Sequence, residues 1–421
     1  MGGTRAEFQR DFTQNGSFDL TGKTVDFVAS SASDGGDDSI LTCSGNLGGV
    51  IDVSKQDDAQ TFTLGSGCAA TTTADLQGQG NITNDGSLHV DGNMDFISDF
   101  SNTGTISMSG DSIEIQRDFT QNGTFDLSGI TIIFDASSAG DGGDDSILTC
   151  SGNLGGEVAV AKLSTAQTFT LVSGCNVLGT TTTSVGPITL NGEWDTQGNT
   201  LTGQSLSLGS NTTLKVVGDE TITSPSVGED ATIEYTGTGT YSTLSGINDF
   251  ENISFTGGGT YNITSSITVE DDFTSSGGSN FNQTSGSVTL DGTSQTITGN
   301  NTFYQLTKTV ASADTLTFGA SQTQTITNSL TLTGADSNLL TLQSTGGSAW
   351  NIDPVIASDS NIQYLAVNDS NNTSGSTIYC DPGCTDGGGN TDWVFEARPI
   401  PREEYRLQGG TRLQGGVQFG S

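Results

Sequence analysis

Positive charge is what this sequence has least of. Twelve Lys and Arg stand against 48 Asp and Glu, for a formal charge of −36. A chain so anionic repels a phosphate backbone, so nucleic acid is excluded as a partner. Histidine occurs once, as His89, which leaves no Ser-His-Asp or Cys-His pairing to build on. No apolar run reaches the roughly 18 residues of a membrane-spanning helix, which argues against membrane insertion. The first residues, Met1 to Glu7, lack the apolar core of a secretory leader. A leader has therefore been removed, or the chain is a piece of a longer product. Charged residues make up 14%, well under the usual share of roughly 25%.

What fills the chain is Gly, at 59 residues, with Ser, Thr, Asn and Asp, and only 6 Pro. That composition excludes a helical protein. Polar, Gly-rich chains are often disordered, but regular spacing argues for order here. Apolar residues fall at Phe12, Phe18, Leu20, Val25 and Phe27, with glycines at Gly16 and Gly22. The same spacing returns from Phe119 through Phe125, Leu127, Ile132 and Phe134, with Gly123 and Gly129. Further passes begin at Phe100 (Ile106, Met108, Ile113, Ile115) and at Ile82 (Leu88, Val90, Met94, Phe96).

Within a pass the apolar residues come in pairs two apart, the strand period with one face buried. Between the pairs sits Gly, where the chain has to turn through backbone angles that other residues resist. A unit of three short strands cannot bury its own apolar side and has to stack on copies of itself. The predicted fold is all-β: an elongated parallel β-solenoid with three short strands per coil. Coils of about 18 to 25 residues make roughly 17 to 22 turns and a body some 80 to 105 Å long.

A larger duplication overlies the small one, Glu7–Cys68 aligning without gaps on Glu114–Cys175. Residues 1–184 are thus a solenoid with a 107-residue duplication, and 185–396 continue it with looser repeats. Residues 397–421 form a Gly- and Arg-rich tail in which Arg406-Leu-Gln-Gly-Gly410 recurs as Arg412-Leu-Gln-Gly-Gly416. The tail is basic and the body acidic. Two readings stay open: docking of the tail on a neighbouring copy, giving head-to-tail stacking into a homo-oligomer, or a linker to a surface anchor.

Three stretches, Phe303-Tyr-Gln-Leu-Thr-Lys-Thr-Val310, Ala366-Val-Asn-Asp-Ser-Asn-Asn-Thr373 and Gly383-Cys-Thr-Asp-Gly-Gly-Gly-Asn-Thr-Asp-Trp393, resemble repeat segments of very large bacterial surface β-helix proteins. These are akin to filamentous adhesins and autotransporter passengers. The resemblance covers about a third of the chain, residues 270 to 395, and implies surface display and repeat architecture. Surface glycans or a cell-surface receptor are then the expected partners.

The six cysteines pair by position as Cys43 with Cys68, Cys150 with Cys175, and Cys380 with Cys384. The two long spacings, 25 residues each, equal about one enlarged coil. Rungs near 4.8 Å apart suit the Cα separation a disulfide prefers, which points to an oxidising, extracellular or cell-surface setting. Buried thiols are the alternative. Zinc is disfavoured, because His89 lies between inward Leu88 and Val90 and should face solvent.

Two acidic loops recur with the duplication, Asp34-Gly-Gly-Asp-Asp38 and Asp141-Gly-Gly-Asp-Asp145. Asp34, Asp37, Asp38, Asp141, Asp144 and Asp145 offer hard oxygen ligands suited to calcium, or else form a solvated acidic corner. Asp381, Asp386 and Asp392 make a looser group near the tail. Asp271 and Asp272 are the acid pair a glycan-cleaving β-helix would use, but with 8 basic residues before Arg398 few groups are left to neutralise an acidic sugar. The expectation is a non-enzymatic structural or adhesive protein, with a carbohydrate-binding or carbohydrate-cleaving module as the alternative. Trp194, Trp350, Tyr364 and Trp393 are candidates for stacking on sugars or for core ladders and end caps. The sequons at Asn211, Asn252 and Asn262 are what so Asn- and Thr-rich a composition produces.

Overall fold

The structure, a computed structural model, describes residues 5–14, 23–28, 38–55, 60–72, 76–78, 80–135, 145–163, 166–355 and 360–396. Among them every element is a β-strand, and every ladder between strands is parallel. The strands stack into a β-solenoid of about 17 turns, which at ~4.8 Å per rung makes a rod of roughly 80 Å.

The stacking follows the repeat that spacing predicts. Ile82, Phe100 and Phe119 lie in register on successive coils, each almost wholly buried. Phe100 and Phe119 place their rings 5.7 Å apart. Leu88 sits in register with Ile106, Met94 with Ile113 and Phe96 with Ile115, so each of the three sides of a coil sends apolar residues inward. Each such side chain contributes roughly 1.5–3 kcal/mol by leaving water. The duplication is structural as well: Phe12 pairs with Leu41 as Phe119 pairs with Leu148, and Gly45 with Cys68 as Gly152 with Cys175.

A sixteen-stranded sheet runs from Leu76–Gly78 to Thr385–Gly388 without a break. That sheet crosses residue 185, where the sequence repeats loosen. A second side, eleven strands from Phe12–Thr13 to Pro225–Val227, ends there, and a new eleven-stranded sheet begins at Thr240–Tyr241. Glu220 welds this switch. Its carboxylate accepts N–H bonds from Val217 and Gly218, each 2.6 Å, and hydroxyl bonds from Thr196 and Ser245. Burial opposes its ionisation, but the backbone N–H groups and the Thr196 hydroxyl outweigh it and hold the carboxyl below its ordinary range.

The glycines do two jobs, and only one matches the sequence expectation. Gly129 turns through a left-handed φ of 76°. Gly104 and Gly123 do not: a Cβ on either would lie 2.1 Å from the carbonyl oxygen of the glycine one coil before. Here Gly is required by close approach of stacked corners, not by an unusual dihedral.

Polar side chains also enter the core, which periodicity alone did not signal. Asn84 donates to Asn102 and Asn102 to Gln121, at 2.7 and 2.8 Å, forming an amide ladder beside the Ile82–Phe100–Phe119 row. Lys162 is buried and donates to the backbone oxygens of Gln116 and Asp135 and to Ser146 Oγ. Lys55, its counterpart in the first copy, reaches Ser39 Oγ in the same way.

Candidate functional site: an acidic corner and an uncharged outer strip

The predicted cysteine pairs form disulfides, Cys43–Cys68, Cys150–Cys175 and Cys380–Cys384, with Cα separations of 5.0, 4.9 and 5.8 Å. The first two tie adjacent rungs. The third closes a short loop between Ile378–Tyr379 and Thr385–Gly388.

Of the acidic loops, Asp34, Asp37, Asp141 and Asp144 lie outside the described residues. Asp38 and Asp145 are described, and both serve the fold. The Asp38 carboxylate accepts the N–H of Thr61 at 2.8 Å, and Asp145 accepts that of Thr168 at 2.7 Å. They belong to a column at one corner, where Asp11 and Asp118 likewise accept the N–H of Ile40 and Ile147 from the next coil. A short acceptor just before each strand satisfies a donor that the corner would otherwise leave bare. Burial pushes the Asp118 carboxyl above its ordinary range, and Asp99 and Asp145 add repulsion, while the Ile147 N–H works the other way. An open depression of about 290 Å³ beside the column is lined by Asn81, Thr83, Asp99, Ser101 and Asp118. Among the described residues no group of three or more His, Cys, Asp or Glu is arranged to hold a metal ion.

A second acidic group was not anticipated. Burial and the carboxylates of Glu270 and Asp271 push Glu251 up to about 7. Glu270 and its chain neighbour Asp271 lie one coil on from Glu251, the Asp271 N–H donating to the Glu251 backbone oxygen at 2.9 Å; the other member of the anticipated acid pair, Asp272, accepts the N–H of Thr296 at 2.7 Å.

The tryptophans are structural. Trp194 meets Phe169 edge-on, Trp350 stacks on Phe318 at 3.9 Å, and Trp393 donates to Ser370 Oγ. All three are buried, so none presents a face to a sugar. Tyr364 is half-buried, in a left-handed conformation at φ 54°. His89 is half-buried on an outward position, 2.9 Å from Ser107 Oγ.

The new sheet after residue 240 turns a largely uncharged surface to solvent, as do the outward column Thr268, Thr289, Thr307, Thr331 and Asn361 and the earlier column Thr170, Thr189, Ser207 and Ser226. One outward column carries Thr260, Asn280, Asn300, Thr323, Asn351 and Asn371 on successive coils. The neighbouring column carries Asn262, Asn282, Thr302, Thr325, Asp353 and Thr373. All of them are partly or fully exposed, alternating with buried Tyr261, Phe281, Phe303, Ile326 and Ile352. Of these two columns only Asp353 is charged, in a chain with 48 acids. The amides are held in place: Asn282 donates to Asn262 at 2.7 Å and Asn371 to Asn351 at 2.9 Å. At the edge of the strip Tyr304 follows buried Phe303, at the register shift between Phe303 and Gln305, and is half-buried, and Val355 is 55% exposed. The signal for this strip was present in the sequence as Thr or Asn flanking each inward residue, but the same residues flank nearly every strand in the chain.

No family model, no curated protein and no solved structure matches this chain. The solenoid shape is common to surface β-helix proteins and does not by itself identify one.

Proposed function

We propose that this protein is a non-enzymatic structural or adhesive rod that works outside the cell or at its surface. The observation that carries the reading is the uninterrupted stack of about 17 turns, cross-tied by disulfides between adjacent coils. Parallel rungs bonded along the axis resist bending and place a ligand surface at a distance from an anchor. Disulfides that close a coil onto its neighbour suit an oxidising compartment. The excess of acid keeps such rods from sticking side to side. The basic tail belongs to the same proposal: Arg398, Arg402, Arg406 and Arg412 dock on the acidic body of a neighbouring copy and build a head-to-tail fibre.

Electron microscopy of the purified protein, with protease shaving of intact producing cells, tests the reading. Rods of about 80 Å or end-to-end multiples of that length, released by shaving, are expected. A protein that stays inside protease-treated cells would overturn the localisation, and turnover in a reducing-sugar assay would overturn the non-enzymatic part. Light scattering that is unchanged on deletion of residues 398–421 would remove the docking role of the tail.

A further inference from the structure

Resting on the adhesive reading, we propose that the uncharged strip between residues 260 and 373 is a binding face for a neutral polysaccharide lying along the solenoid axis, with Tyr304 as its stacking platform.

Charge comes first. The corner on the N-terminal half carries Asp11, Asp38, Asp99, Asp118 and Asp145 on its coils, whereas the strip carries Asp353 alone. An anionic polymer is repelled by the body's field, and a cationic one is drawn to the acidic corners and away from the strip. A neutral polyhydroxylated chain is indifferent to that field. It needs hydrogen bonds and apolar contact, and the strip offers both.

The hydrogen-bonding groups are of two kinds. Threonine hydroxyls donate and accept, and the amides of Asn262 and Asn282, or of Asn351 and Asn371, present both an acceptor and a donor edge. Because those amides are already bonded to one another along the axis, little rotamer freedom is lost when a ligand binds. Repetition supplies the rest. The six coils place like groups at ~4.8 Å intervals over roughly 25 Å, so weak contacts to one chain act together.

Tyr304 and Val355 lie at the edge of the strip, each next after the last inward residue of its ladder, Phe303 and Pro354. A half-buried Tyr ring at such an edge offers an apolar face to the C–H side of a sugar and a hydroxyl to its rim. Trp194, Trp350 and Trp393 are buried, so this tyrosine takes the part for which the tryptophans were candidates.

The test uses the full chain in affinity gel electrophoresis with two polymers of one backbone, uncharged hydroxyethyl cellulose and anionic carboxymethyl cellulose, backed by an array of other neutral glycans. Retardation by neutral polymer and none by the anionic one is expected. Thr302→Asp with Thr325→Asp should abolish it, and Tyr304→Ala should weaken it at least tenfold. Thr189→Asp with Ser207→Asp, in the separate sheet that ends at Pro225–Val227, should leave it unchanged. Circular dichroism melts confirm that each variant is folded, and these outward positions bury little on folding. Silence of the unaltered protein toward every neutral glycan overturns the proposal, as does equal retardation by the anionic polymer or full binding by the doubly charged variant. Shaping of ice crystals without glycan binding would reassign the strip to a crystal surface and equally overturn it. The rod and its surface location are read by microscopy and shaving, so they stand or fall separately.

Discussion

Lys308 and Asp314 form an ion pair of 2.9 Å in which both side chains are withdrawn from solvent. The ammonium also donates to the backbone oxygen of Gly292 and to Gln295 Oε1, and Gln295 in turn donates to Val269 and Asp271. One buried cation thus ties together corners of consecutive coils. Burial opposes ionisation of Asp314, but the N–H groups of Ser294 and Thr315 and the Lys308 ammonium outweigh it and lower its pKa.

Replacing only the cation leaves a buried carboxylate without its partner. Lys308→Met should therefore cost about 3–5 kcal/mol at pH 7, and the paired variant Lys308→Met with Asp314→Asn clearly less. Asp314 is depressed, so its stabilisation is present above the ordinary carboxylate pKa and is lost as pH falls through the folded value. The penalty of Lys308→Met should accordingly shrink in acid, where the orphaned carboxyl takes up a proton. Urea melts at pH 7 and pH 3 measure both effects.

Glu251 has the opposite sign. Its carboxyl is raised to about 7 by burial, Glu270 and Asp271, so the folded state holds a proton that the unfolded chain releases near pH 4. Stability from this group is complete below pH ~4 and is lost as pH rises toward 7. Glu251→Gln should raise the melting temperature more at pH 8 than at pH 5. An equal shift at both values would show that the cluster does not share charge in this way.

The two kinds of glycine should separate on substitution. Gly104→Ala forces a methyl to within 2.1 Å of the Gly86 carbonyl oxygen, and neither backbone can move without shifting its rung. A loss of about 3 kcal/mol or more is expected. At Gly129 a Cβ meets open space, and only the left-handed φ is strained, so Gly129→Ala should cost about 1–2 kcal/mol. Thermal denaturation of the two variants side by side decides it.

Each 25-residue disulfide loop should stabilise by about 3–4 kcal/mol through restriction of the unfolded chain. Cys150→Ser with Cys175→Ser should lower the unfolding free energy obtained from urea melts by that amount and leave the circular dichroism of the folded protein unchanged. Non-reducing peptide mapping should recover all three pairs; free thiols at these positions would remove the basis for an oxidising compartment.

Much of this was legible in the residues themselves. A strand side chain points inward or outward by parity, and a coil of this length cannot bury its own apolar row, so the positions of Phe100, Phe119, Ile113 and Ile115 already imply stacked parallel rungs. The spacing of Cys43 and Cys68 implies neighbouring rungs for the same reason. Other features depend on which coils become neighbours. Periodicity does not mark Asn84, Asn102 and Gln121, which register places one amide beneath the next. Nothing in the spacing marks Lys162 and Lys308, on which oxygens from neighbouring coils converge. The Thr and Asn of the strip are present in the sequence but do not single it out, because many other strands also alternate Thr or Asn with an apolar residue. Periodicity is a local property, and one chain segment determines it. Which outward columns align, and which of them escaped acidic substitution, is set by the register between segments about twenty residues apart, and only the stacked solenoid brings them together.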